Sequence, residues 1–410
     1  MATWKYNKGE WTEAYVFLRL LGEGRIYGAS SELTKDPTTY IDILKIIRDE
    51  PDKIVIFERF INDNIDKVKV SKDGEVIKIV VAPELSEYAE SVYEKIKNIR
   101  TSECIPEVQK YLENICFDSP KANLSESAKE KYGAKTDIII TSRNSIDHST
   151  STEGFSIKSH LGSPATLFNC SQTSGFTYEI TNCNTSLMHK INAADSFLAM
   201  INAIKSLGLN IVFHGCRNDI FEQNICIVDS QMDKVLSEAV QIHAGCFDNS
   251  SQSSRVKDIC EYVIQRNPVG VRNPQMFYPA KFKDFLFASF AGLTASSIWN
   301  GRKRITGGYI DVSGTGEMLY YRAISDDIFG NYLFENTYFD RPDRGMRKEL
   351  AYEEAIAFED GRSLTEEERN NIIYQDGKSG PMKSKKGDFG YVYEKNGKFF
   401  IDINFQIRFK

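Results

Sequence analysis

Asp137–Thr141 reads DIIIT and Gly154–Ser159 reads GFSIKS, two short segments separated by a polar stretch, 142–153. Three consecutive isoleucines bounded by polar residues mark the first as a buried strand, and Phe155 and Ile157 mark the second. A hairpin-like pairing of the two sets Asp137, at the start of one strand, beside Lys158, in the middle of the next. Further along, Phe176–Ile180 (FTYEI), Leu209–Phe213 and Ile225–Val228 are expected strands, and Ala193–Leu207 an expected helix. Another helix carries Val235, Leu236, Ala239 and Val240 behind a cap at Asp229 or Ser230. This mixture predicts an α/β fold, with helices flanking a central mixed sheet.

Outward from that core the texture changes in both directions. Residues 84–132 read as mostly helical, with breaks near 101–104 and 118–120. Before them, Ala14, Phe17, Leu18 and Leu21 recur at helical spacing, and Ile41, Leu44 and Ile47 predict a second helix over Tyr40–Arg48, ended by Pro51. Lys67–Val70 and Val76–Val81 flank Asp73-Gly74, a hairpin signal. Helix, helix, hairpin is the order of a winged-helix-like DNA-binding module, and equally of a helical support for the next domain. Past the core, Lys378–Lys410 holds eight Lys/Arg against three Asp/Glu, a local +5. It ends in an expected hairpin about Asn396-Gly397, whose alternating Phe399, Ile401, Ile403, Phe405 and Ile407 predict one apolar face. The expected division is an accessory module over 1–95, a catalytic core over 96–335, and a basic region over 336–410.

Composition excludes several classes. With 410 residues, 41% hydrophobic and 26% charged, the chain has the make-up of an ordinary globular protein. No apolar run approaches the roughly 18–20 residues needed to cross a bilayer. MATWKYNKGEW lacks the apolar centre of an export signal, so a cytoplasmic location is expected. The eight cysteines are scattered with no CxxC, which fits reduced thiols. His214 with Cys216 and His243 with Cys246 are read as separate residues rather than a zinc site. Net charge −6 argues against a protein that simply coats nucleic acid, but leaves room for a local basic groove.

Nucleotide-binding and serine-hydrolase signals fail. Gly377-Lys378-Ser379 resembles the end of a phosphate loop, but Ile372 stands where its first glycine belongs. Gly22-x-Gly24 has no third glycine at 27, and GxSxG is absent. Asp137 and Lys158 remain. Phosphodiester hydrolysis needs a cation at the phosphate, a group that positions or deprotonates water, and neutralisation of developing charge. Asp137 suits the first need and Lys158 the second. Spacing alone also fits a solvated aspartate and an edge-strand lysine.

GFSIKSHLGSPATLFN (154–169) followed by FTYEI resembles the HpaII family of type II restriction endonucleases, within the PD-(D/E)XK nuclease superfamily. EWTEAYVFLRLLGEG (10–24), NICIVDSQM (224–232) and FIDINFQIRF (400–409) extend the likeness over nearly the whole chain. The resemblance implies a magnesium-dependent enzyme that cuts both strands of unmethylated DNA, acts as a homodimer, and is paired in its system with a DNA methyltransferase. CCGG is the first site it suggests. It implies a PD-(D/E)XK core with Asp137 as metal ligand and Lys158 as the water-activating lysine. One departure stands out: two residues before the lysine, where the superfamily usually has an acid, is Ser156. A second metal-binding acid is then expected elsewhere, with Glu179 ranked first, Glu153 next, and Gln172 where some relatives keep a displaced acid. Ser159, Ser163 and Asn169 are candidate phosphate contacts. Arg302, Lys303 and Arg304 are candidates for guanine or phosphate contacts, and Lys383, Lys385 and Lys386 for phosphates. A non-catalytic DNA-binding protein on a degenerate nuclease core is the competing reading.

Overall fold

The computed structural model describes residues 3–29, 34–162, 164–169, 173–247, 253–323, 326–342, 362, 365, 367–368 and 389–409. Helix α1 (Lys8–Glu23) opens with a capping box between Asn7 and Glu10 and ends at Gly24, whose φ of 73° glycine adopts without strain. Trp11, Ala14, Tyr15, Phe17, Leu18 and Leu21 are buried along it. Each fully buried large side chain of this kind contributes roughly 1.5–3 kcal/mol, so α1 is a core element and not a surface appendage.

Strands β1 (Arg25–Ala29), β2 (Lys35–Glu50), β3 (Lys53–Asn62), β4 (Ile65–Lys72) and β5 (Glu75–Val81) follow, then helices α2 (Ala82–Ile96), α3 (Pro106–Asn114) and α4 (Glu126–Tyr132). The expected helix over Tyr40–Arg48 is therefore the inner part of a long strand. Its isoleucines are β-branched and alternate in burial, but the register shifts between Ile43 and Lys45. That bulge moves the buried set from Ile41 and Ile43 to Ile46 and Arg48, so Leu44 and Ile47, which suggested a helical face with Ile41, are not buried with it. With β2 a strand, helix–helix–hairpin does not describe the N-terminal region.

Strands β6 (Ile138–Asn144) and β7 (Thr150–Ser159) form the expected antiparallel pair, then β8 (Thr166–Phe168) and β9 (Gly175–Thr181). Helices α5 (Thr185–Asn192) and α6 (Phe197–Ser206), strand β10 (Asn210–Cys216), and helices α7 (Asp219–Val228), α8 (Met232–His243), α9 (Val256–Arg266) and α10 (Pro274–Phe290) come next. The expected strand at Ile225–Val228 is the last turn of α7. Asn218 caps that helix, and Asn224 donates from inside it to the carbonyls of Thr294 and Ser297. The chain closes with β11 (Gly308–Val312), β12 (Met318–Arg322), α11 (Asp326–Asn336), β13 (Thr337–Phe339), β14 (Val392–Lys395), β15 (Lys398–Asn404) and β16 (Ile407–Phe409).

The main sheet runs β1-β12-β11-β7-β6-β2-β3-β4-β5, and β1 also pairs with β2. Six strands thus close on themselves and β3–β5 extend from the ring. The α/β class and the mixed central sheet stand, and the sheet closes on itself. N-terminal β1 and β2 bond to β12 and β6, so the first strands share one sheet with Asp137 and Lys158. A second sheet, β10-β9-β15-β14, is packed with α5 to α10 around its own core. In it β15 lies between β9 and β14 and buries Phe399 to Asn404 on both faces, not one. The terminal turn at Asn396 (φ 54°) and Gly397 (φ 74°) has the left-handed pair that a tight hairpin requires.

Candidate active site

Asp137 immediately precedes β6, and its backbone N–H donates to the Phe155 carbonyl at 2.9 Å. This last link of the β6–β7 ladder fixes the aspartate against β7. Its Oδ2 accepts from the Ser156 hydroxyl (3.1 Å) and the Ile157 backbone N–H (2.7 Å). Oδ1 accepts no hydrogen bond among the described residues. Ser156 and Lys158, two apart on one strand, share a face. Burial drives the Lys158 ammonium below the ordinary lysine range, Asp137 opposes that, neighbouring Lys135 adds to it, and Glu13 opposes it. The two expected residues lie close enough for their charges to interact.

A third member comes from α1. Glu13 and Asp137 line one small cleft with Arg48, Pro120, Ala122 and Ile157. Glu13 Oε2 accepts from the Ala122 N–H at 3.3 Å. Burial, and then the Asp137 charge beside it, hold the Glu13 carboxyl well above the usual carboxylate range; Lys121 and Arg48 pull the other way. Arg48 is buried, ion-paired with Glu50 at 2.6 Å and bonded to the Lys121 carbonyl at 2.9 Å, and so anchors the loop that holds Glu13. Two adjacent carboxylates, each with one oxygen held by the protein, make a donor set that a divalent cation would relieve. Among the described residues no three His, Cys, Asp or Glu side chains converge. Two carboxylates, with water and phosphate completing the shell, are a set in which Mg2+ is commonly held.

The other expected acids lie elsewhere. Glu179 sits on β9 in the second sheet, paired with Lys398 at 3.0 Å. Glu153 is on β7 but both its oxygens accept from Arg322 of β12, at 2.6 and 2.7 Å. Gln172 and Ser163 fall outside the described residues, as do Lys383, Lys385 and Lys386. Ser159 accepts from Thr12 of α1 and from the Leu161 N–H, both at 3.3 Å, and Asn169 is exposed after β8. Arg302 pairs with Glu130 and Lys303 with Asp284, each at 3.5 Å. Arg304 alone of these three lines a cleft that also holds Ser156. Burial raises the Cys216 and Cys246 thiols, the latter to about 12, as befits neutral side chains. No helix among the described residues is long and apolar enough to cross a membrane.

Glu13 escaped the sequence reading, although its signal is visible: it is the one acid within WTEAYVFL (11–18), a stretch otherwise almost wholly buried. The chain is 28% identical to the type II restriction enzyme HpaII of Haemophilus parainfluenzae over 407 residues, covering 98% of each chain. No solved structure matches. The model of the HpaII restriction endonuclease family matches residues 7–357, and the chain belongs to that family.

Proposed function

We propose that this protein is a type II restriction endonuclease with a PD-(D/E)XK-type site, cutting both strands of unmethylated duplex DNA by Mg2+-assisted hydrolysis. The observation that carries the reading is the convergence of Asp137, Glu13 and Lys158 in a chain of this family. Asp137 and Glu13 would hold the ion through the oxygens that the protein leaves open. When bound, Mg2+ offsets the charge that develops on the scissile phosphate. Ser156 and the Ile157 N–H keep the Asp137 carboxylate oriented. Lys158, its ammonium destabilised by burial, orients the attacking water and accepts its proton more readily than a solvated lysine. A homodimer would place one such site on each strand, and a cognate methyltransferase would protect the host's own sites.

The test is digestion of unmethylated plasmid with the purified protein and Mg2+, followed by sequencing of the ends. Discrete fragments that disappear when Mg2+ is chelated are expected, with CCGG the first site to inspect. Tight DNA binding without cleavage would instead support the non-catalytic alternative.

A further inference from the structure

Two further titratable side chains flank Lys158. In the parallel β7–β11 pair Asp311 stands opposite Lys158. The backbone N–H of His160 donates to the Val312 carbonyl at 2.8 Å, which carries the ladder past the end of β7. His160 and Lys158, two residues apart, therefore share a face, separated by about 6.6 Å along the strand. The side chains agree, with His160 Nε2 2.8 Å from Asp311 Oδ1. Asp311 is buried, and its carboxylate has no other hydrogen-bond partner among the described residues. His160 is half-buried, and its Nδ1 has no hydrogen-bond partner among the described residues. A buried carboxylate thus fixes the ring by one nitrogen and leaves the other open, which is how an acid–base histidine is held.

Hydrolysis of a phosphodiester moves two protons. Water loses one as its oxygen bonds to phosphorus, and the departing sugar oxygen gains one as its own bond to phosphorus breaks. In an in-line displacement these two oxygens lie on opposite sides of phosphorus, so one side chain does not serve both. Lys158 is matched to the water. A donor one step further along the same strand face is placed for the departing oxygen. The bond to Asp311 raises the imidazole above its ordinary value against the burial that lowers it, which favours the proton-bearing form near neutral pH. Lys8 of the adjacent α1 donates instead to the carbonyls of Lys97 and Leu161.

Resting on the nuclease reading above, we infer that His160 is the general acid of the reaction, its Nδ1–H donating to the sugar oxygen that leaves phosphorus, with Asp311 as its positioning residue. The phosphorus–oxygen bond breaks with its electron pair on that oxygen, the proton crosses from the imidazolium, and a hydroxyl end results. The proton of the attacking water goes to Lys158, and exchange with solvent resets both side chains.

The test is single-turnover cleavage, with Mg2+, of a short duplex carrying the site at which wild type cuts unmethylated plasmid. Which end keeps the phosphate shows which sugar oxygen departs. A second duplex carries sulfur in place of that bridging oxygen, because a thiolate leaves without needing a proton. Each loss is taken relative to wild type on the same duplex. His160→Ala should slow the oxygen duplex roughly 100-fold and the sulfur duplex by less than roughly threefold. Asp311→Asn should show the same contrast with a smaller loss, roughly tenfold on the oxygen duplex. Lys158→Ala should stay slow on both, since sulfur does not ease the attack of water. Should His160→Ala melt below wild type, His160→Gln takes its place. Equal losses on the two duplexes, or an unimpaired rate on the oxygen duplex, overturns this inference alone. A wild-type protein that cuts no DNA sinks the nuclease reading and this inference together.

Discussion

Ser156 gives its hydroxyl to Asp137 across the β6–β7 pair, Oγ to Oδ2 at 3.1 Å. Two residues before Lys158, where the proposed PD-(D/E)XK-type site would usually carry an acid, stands a donor to Asp137. The carboxylate that faces Asp137 is instead Glu13, brought from α1 into the same cleft. Ser156→Ala should leave the Ile157 N–H on Oδ2 and remove one hydrogen bond worth about 1 kcal/mol. Single-turnover cleavage is therefore expected to fall roughly fivefold with little loss of DNA affinity. A fall of more than 100-fold would mean that the hydroxyl itself takes part in the chemistry.

Lys158→Ala is expected to abolish cleavage while specific DNA binding in Ca2+ stays within roughly threefold of wild type, because affinity rests mainly on phosphate contacts. The measurement is a pair: single-turnover rate and equilibrium binding on one duplex. Equal losses in both, with unchanged melting, would assign Lys158 to binding instead of catalysis.

Asp137→Asn and Glu13→Gln should each remove activity with Mg2+ and with Mn2+, since an amide replaces an anionic ligand that hard cations prefer. Glu179→Gln and Glu153→Gln should keep cleavage within roughly tenfold, because their carboxylates are committed to Lys398 and Arg322. Mn2+ binding followed by its paramagnetic signal reads the same question without turnover. Undiminished Mn2+ affinity in Glu13→Gln would move the second ligand away from α1.

These contrasts show which parts of the site sequence can report. The pairing that sets Asp137 against the strand of Lys158 was legible because Ile138–Ile140 and Phe155–Ile157 are short β-rich runs separated by a short polar stretch. Glu13 was not, because its approach to Asp137 depends on how α1 packs against a closed sheet, a contact without local periodicity. Glu179 is nearer than Glu13 to Lys158 along the chain, yet it belongs to another sheet. Sheet membership is set by long-range pairing that a window of neighbours does not contain. The bulge at Ile43–Lys45 misled in a different way, by shifting the alternation that distinguishes a strand from a helix. Arg48 and Glu50 are buried as an ion pair beneath the loop that Glu13 accepts from, a contact that no local pattern signals.

His243 gives a pH signature of the fold. Burial lowers its imidazole to about 4, and its Nε2–H donates to the Asp340 carbonyl at 3.2 Å. A folded value below the unfolded one, about 6.5, means that the neutral form is the native form. Its contribution is complete above pH 6.5 and is lost as pH falls from there toward 4, by about 3 kcal/mol at most. Denaturant titrations at pH 7 and pH 5 should show His243→Gln losing less stability over that interval than wild type. Identical losses would show that this imidazole is already solvated.

The basic C-terminal stretch is expected to bear on affinity for DNA. Lys383, Lys385 and Lys386 precede β14, and the hairpin beyond them is locked into the second sheet by buried Ile401, Ile403 and Phe405. Each lysine that meets a phosphate releases condensed counterions, so affinity falls by roughly 0.9 log unit per log unit of salt for each contact. Replacing the three lysines together by alanine should weaken specific and random duplexes alike. The salt slope should flatten by roughly two to three, while the cleavage rate of bound DNA is unchanged. An unchanged slope would place the phosphate contacts elsewhere, and Arg302 and Arg304, both exposed, are then the residues to replace.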